Sequence, residues 1–190
     1  MMVISERKES ESDDGILYLT GEIVDSDAER TYKQIIDYNR EGKVDRIQLI
    51  INSPGGLVEA GFAIIDIIEW SRIPVHTTGI GRLASAALLI FMAGAPGRRI
   101  LTARTTVLSH RFSGIVWGNH SQLIASRKEQ DLLHERIVDH YLRYSGIKTR
   151  EELERDLLRD VDTWLSAEEA VRYGLADAVE VRMSRQPEVK

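Results

Sequence analysis

Apolar positions along this chain come in short continuous runs that alternate with stretches at helical spacing. Ile16-Leu17-Tyr18-Leu19 and Arg46-Ile47-Gln48-Leu49-Ile50-Ile51 predict two buried strands. Between them Asp25 or Ser26 is placed to cap a helix that runs toward Arg40 and ends at Gly42. Asn52-Ser53-Pro54-Gly55-Gly56 breaks the second strand, which predicts a tight glycine turn before the next helix. That helix, about Val58 to Trp70, carries Phe62, Ile65 and Ile68 on one apolar face. Pro74 then opens a strand over Val75 to Thr78, and Gly79-Ile80-Gly81 predicts another turn.

The stretch GRLASAALLIF, residues 81 to 91, sets Ser85 at the first turn of an apolar helix, and strands follow around Arg99 to Leu101 and Thr105 to Ser109. From His120 to Tyr144 a long helix is expected, with Leu133, Ile137 and Tyr141 repeating every four residues and Gly146 stopping the run. Its length predicts that it projects from the core. Thr149 with Glu152, and Ser166 with Glu169, read as capping boxes that open two short helices, the second ending at Gly174. Leu175 to Val181 predicts a closing strand. Strand and helix in alternation predict an α/β fold with parallel strands and helical crossovers. The expected organisation is a flexible charged arm over 1–14, one domain over 15–182 and a loose tail over 183–190.

Composition narrows the functional classes. A chain of 190 residues, 43% hydrophobic and 29% charged, is large enough to bury one core. Its net charge of -5, with acids and bases interleaved, lacks the basic stripe that tracks a phosphate backbone, so nucleic acid is not an expected partner. Without cysteine there is no disulfide framework, thiolate nucleophile or cysteine metal cluster. His134 and His140 are six apart, off the spacing of a helical zinc pair, and neither metal nor cofactor is expected. The longest apolar run, Leu83 to Ala95, is too short for a bilayer, and the start has no signal-type core; a cytoplasmic protein without membrane contact is expected.

The candidate chemistry is nucleophilic. Ser85 needs a base to take its proton and a third group to hold that base. His110, at the end of a strand, and Asp162, between the two short capped helices, can fill those roles. Each has a commoner structural role when taken alone: a helix cap for Ser85, a backbone-bonded histidine for His110, a turn aspartate for Asp162. An oxyanion hole would need backbone N–H groups, which Gly55-Gly56 and the amide of Ala86 at a helix start can supply.

The stretches INSPGG (51 to 56), LASAALL (83 to 89), VLSH (107 to 110) and WLSAEEAVRYGLAD (164 to 177) resemble the Clp protease proteolytic subunit family over about Gly15 to Ala178. The resemblance implies a self-compartmentalising serine endopeptidase acting on peptides and unfolded proteins. Ser85 would be its nucleophile, His110 the general base, Asp162 the orienting carboxylate, and Gly56 and Ala86 the oxyanion amides. It implies a crotonase-like ββα superhelix with a protruding handle helix at His120 to Tyr144, and homo-oligomeric rings, usually double heptamers, stacked through that helix. A segment at about Phe112 to Trp117 would bind substrate as an added strand, making Gly55, Phe112, Ser113 and Gly114 substrate contacts. An AAA+ unfoldase is the implied partner.

Three places depart from the family pattern. His110-Arg111-Phe112 stands where the family usually has His-Gln-Pro. Asp160-Val161-Asp162 replaces an Asp/Glu-Arg-Asp run, which removes an arginine expected to pair across rings and makes Asp160 a competitor for the triad. The charged arm replaces the family's axial-gate segment, so a peptidase working without an ATPase partner is a second expectation. Other readings fit less well. Acyl-coenzyme A hydratases and isomerases of the same fold use glutamates, and only Glu59 is near; a Ser-Lys peptidase would have only Lys128 between Ile51 and Ile147; a non-catalytic ring subunit would lack the triad residues that this chain keeps.

Overall fold

A computed structural model describes residues 14–114 and 117–180. The charged arm, apart from Asp14, and the tail from 181 onward lie outside the described residues. The chain runs β1 (Gly15–Ile23), α1 (Asp25–Glu41), β2 (Ile47–Gly56), α2 (Val58–Trp70), β3 (Val75–Ala84), α3 (Ala86–Met92), β4 (Arg99–Thr102), β5 (Thr106–Ser109), α4 (His120–Tyr144), α5 (Arg150–Asp156), β6 (Thr163–Ser166), α6 (Ala167–Arg172) and β7 (Ala178–Glu180). It is a mixed α/β fold on a sheet ordered β1-β2-β3-β4-β7, with every pair along that path parallel.

Two expected turns are strand instead. β2 continues through Ser53-Pro54-Gly55-Gly56, and β3 continues through Gly79-Ile80-Gly81. Glycine counts against a strand locally, but here neighbouring strands supply ladder partners, with register shifts after Thr20 and Ile51 absorbing the irregularity. β3 then forks. Thr77 to Gly79 pair with β4, whereas Arg82 to Ala84 pair with β5. A strand absent from the sequence pattern, β6, closes that branch antiparallel to β5. The fork brings the ends of β2, β3 and β5 together on one edge, which is where parallel α/β sheets hold ligands.

The helices pack as their periodicity predicts. Phe62, Ile65 and Ile68 of α2 are buried, and no residue of α3 is more than 5% exposed. A helix buried all round must be apolar all round, which explains the LASAALLIF run without invoking a membrane. Among the described residues no helix is long and apolar enough to cross one. Gly61 of α2 sits where an added Cβ would lie 3.3 Å from the Ala86 Cβ, so the two helices approach closely. Each large aliphatic side chain buried there contributes ~1.5–3 kcal/mol. In α4 the second half buries Leu133, Ile137 and Tyr141, while Leu123 and Ile124 of the first half stay exposed.

The caps correct details of the sequence reading. Neither Asp25 nor Ser26 caps α1: the N-cap is Val24, which makes no side-chain capping bond, and Asp27 reaches back to accept the Val24 N–H at 3.1 Å. Ser166 and Glu169 form the reciprocal box at 3.2 and 2.8 Å. Thr149 accepts the Glu152 N–H, but the Glu152 carboxylate takes the Lys148 N–H rather than that of Thr149.

One ion pair ties the β4 and β7 ends of the sheet. Arg99 donates to both oxygens of Asp177, Nη2 to Oδ1 at 2.6 Å and Nε to Oδ2 at 3.1 Å. Burial pushes the Asp177 carboxyl upward, but the hydrogen bonds and charge of Arg99 outweigh it and hold the group below its ordinary value. A depressed folded-state value adds stability that is present above the unfolded-state value of 3.8 and is lost as pH falls through the folded one. Asp177→Asn is therefore expected to lower stability at pH 7 by roughly 1–2 kcal/mol. In thermal melts the gap from the parent should shrink below about pH 4.

Candidate active site

Ser85 stands between β3 and α3 with φ 55° and ψ -127°, the one non-glycine residue at positive φ among the described residues. Such a conformation costs about 1–3 kcal/mol and persists only where its surroundings enforce it. Ser85 is the N-cap of α3, yet its side chain makes no capping bond, so the commoner role of a helix-start serine does not account for it. The backbone is fixed instead: the Ser85 N–H donates to the Leu108 carbonyl at 3.1 Å, and its own carbonyl accepts the Leu88 N–H at 2.9 Å. A sharp strand-to-helix turn of this kind presents a hydroxyl at the rim of a sheet.

The glycines of β2 make room for that turn. A Cβ on Gly55 would fall 2.6 Å from the Ala84 carbonyl oxygen and 2.7 Å from the Ser85 Cβ. A Cβ on Gly56 would fall 2.2 Å from the Ile23 carbonyl oxygen. Both have positive φ, 91° and 156°. The Gly55 N–H is already used by Ser53 Oγ at 3.0 Å, and of the two glycines it is Gly56 that lines the cavity beside Ser85. On the other side, the Ala86 N–H is the first of α3 and has no carbonyl within the helix to bond.

His110 follows the last residue of β5 and is half-buried. β5 lies beside β3 in the register Ala84↔Leu108, so Ser85 and His110 leave adjacent strands at the same edge. Asp162 precedes β6 and is exposed. The antiparallel register Leu108↔Trp164 and Ser109↔Thr163 makes His110 and Asp162 the next facing pair, one step beyond the ladder. Asp160 lies two residues farther out, its side chain 88% exposed and paired with Arg111 at 2.8 Å. No hydrogen bond joins the His110 ring to Ser85 or Asp162 among the described residues; the side-chain bonds around it belong to Ser109 and Arg111.

A cavity of about 120 Å³ collects Gly56, Ser85, Ala86, His110, Phe112 and Ser113 in its lining. Six of the nine sequence-predicted site residues thus meet in one lining, with Gly55, Gly114 and Asp162 outside that wall. Residues 111–114 form no strand within the chain, and 115 and 116 of the expected substrate segment lie outside the described residues. The remaining wall is apolar, from Val58, Leu89 and Ile137, and is closed by Tyr141.

Sequence reasoning treated Tyr141 only as part of an apolar stripe. Its hydroxyl is 2.7 Å from Ser109 Oγ, which also donates to the Leu157 carbonyl at 3.0 Å. Burial pushes the Tyr141 phenol up to about 12, so it stays a neutral donor. His140 is a structural partner of the same wall: its Nε2 bonds the Leu89 carbonyl at 2.9 Å, and burial lowers its pKa to about 4. The i, i+4 spacing of Ile137 and Tyr141 was the available signal for a shared face toward the site.

A strained serine, a histidine at the same rim and backbone amides on the facing wall are what acyl transfer at a carbonyl requires. A family model described as Clp protease matches residues 7–183 of the 190, a span that contains every one of these elements, and the chain therefore belongs to the Clp protease family of serine-type peptidases.

Proposed function

We propose that the protein is a serine endopeptidase that cuts peptides and unfolded proteins through an acyl-enzyme. His110 takes the Ser85 proton as Oγ bonds the peptide carbonyl carbon, and the oxyanion rests on the Gly56 and Ala86 amides. The C–N bond then breaks as His110 gives its proton to the leaving amine, and water, deprotonated by His110, frees the acid. Asp162 holds the imidazole in the needed tautomer; the β5–β6 register favours it over Asp160. The observation that carries this reading is the uncapped Ser85 at φ 55° on a wall shared with His110.

Family membership supports the wider features. Clp proteases generally form oligomeric rings and act on peptides. The reading here is a self-compartmentalising double heptamer on a crotonase-like superhelix, with the exposed first half of α4 as the handle, working in the cytoplasm with an AAA+ unfoldase. A fluorophosphonate that forms a stable adduct on Ser85 of a ring-sized assembly, weighed by native mass spectrometry, is the expected result. An unmodified Ser85 in a well-formed assembly would contradict it.

A further inference from the structure

The segment between α5 and β6 carries Asp162, yet it is irregular from Leu157 to Asp162. Among the described residues, the side chains that reach its carbonyls or carboxylates from outside are those flanking His110. Ser109 Oγ donates to the Leu157 carbonyl at 3.0 Å. Arg111 Nε donates to the Leu158 carbonyl at 2.6 Å, and its Nη1 pairs with Asp160 at 2.8 Å. The ion pair is open to solvent and screened, with Asp160 88% exposed. The bond to Leu158, a fully buried residue, is charge-assisted and short, and it is the stronger tether.

These two tethers straddle the position where the ladder ends. Ser109 fixes the buried side of the loop, and Arg111 fixes the side from which Asp162 departs. We propose that Arg111 is a positioning residue: by holding the Leu158 carbonyl and Asp160, it keeps the loop in the register that sets Asp162 opposite His110. The proposal rests on the assignment of His110 and Asp162 to the reaction. It gives Arg111 a role within one chain, through a bond that no other cation among the described residues makes to this loop.

The test compares Arg111→Met, which keeps the aliphatic stem but no donor, with Asp162→Asn and the double variant, using a chromogenic peptide below the melting temperature of each. Arg111→Met is expected to lower kcat about 10–100-fold with KM changed less than about twofold. Arg111→Lys, which keeps a cationic donor, should recover part of the lost rate. The double variant should be no slower than Asp162→Asn, because both changes remove the same interaction. A purely structural arginine would give additive losses in the double variant, and that result overturns the proposal. A full rate in Asp162→Asn overturns the Asp162 assignment and the proposal together. A full rate in Arg111→Met beside a slow Asp162→Asn overturns the proposal alone.

Discussion

Ser85→Ala is expected to reduce peptide cleavage by about 10⁴-fold or more while leaving the fold and assembly intact. The hydroxyl makes no capping bond, so its removal takes no partner from α3. What would remain after the change is binding and the amides proposed for the oxyanion, which alone give only a small part of the rate. Ser85→Gly separates chemistry from strain. It should be equally inactive but melt higher, by roughly 1 kcal/mol, because glycine adopts φ 55° without the Cβ penalty. Chromogenic-peptide rates and thermal melts of the two variants check both halves. Cleavage retained by Ser85→Ala would remove Ser85 from the chemistry.

The second large effect lies one strand away. Gly55→Ala places a methyl group 2.6 Å from the Ala84 carbonyl oxygen and 2.7 Å from the Ser85 Cβ, and these are the backbone and root of the turn itself. Neither can swing aside as a flexible side chain would. The turn must shift by several tenths of an ångström or more, at a residue whose φ of 91° already disfavours alanine. Misplacement on this scale costs about 10²-fold in rate. We expect kcat to fall by that order with a folded protein of lower melting temperature, measured by circular dichroism. By contrast Gly42→Ala meets nothing within 4 Å, and it should lose only the left-handed preference of its φ of 62°, about 1 kcal/mol, without loss of rate.

The same glycines explain where the chain was legible and where it was not. α2 and α4 are readable to the residue, because an apolar face at helical spacing is a local signal that tertiary packing then reinforces. β2 and β3 were read too short. Gly55-Gly56 and Gly79-Ile80-Gly81 have turn composition, and only the neighbouring strands show what they serve: close backbone approach at Gly55 and Gly56, and room for the Leu83, Leu101 and Asn52 side chains at Gly79 and Gly81. β6 was missed because Thr163 to Ser166 is four residues long and its stabilising partner, β5, lies far back in the chain.

The candidate site divides in the same way. Ser85, His110 and Asp162 are candidates by residue type and family resemblance, and Gly56 and Ala86 by backbone chemistry; all but Asp162 line one cavity. The positive φ of Ser85 could not, since serine has no preference for it and the surroundings impose it. Nor could Tyr141, Ser109 and Arg111, whose roles depend on bonds to elements 32 to 48 positions away. A hydrophobic stripe announces burial but not which hydroxyl it will bury.

The most direct test of Ser85 as the nucleophile is peptide mapping after reaction with a fluorophosphonate, with intact and native masses recorded beside it. The expected result is one adduct per chain, on Ser85, in an assembly of ring size. An assembled protein that takes no adduct on Ser85, or that binds acyl-coenzyme A thioesters and leaves peptides whole, would contradict it.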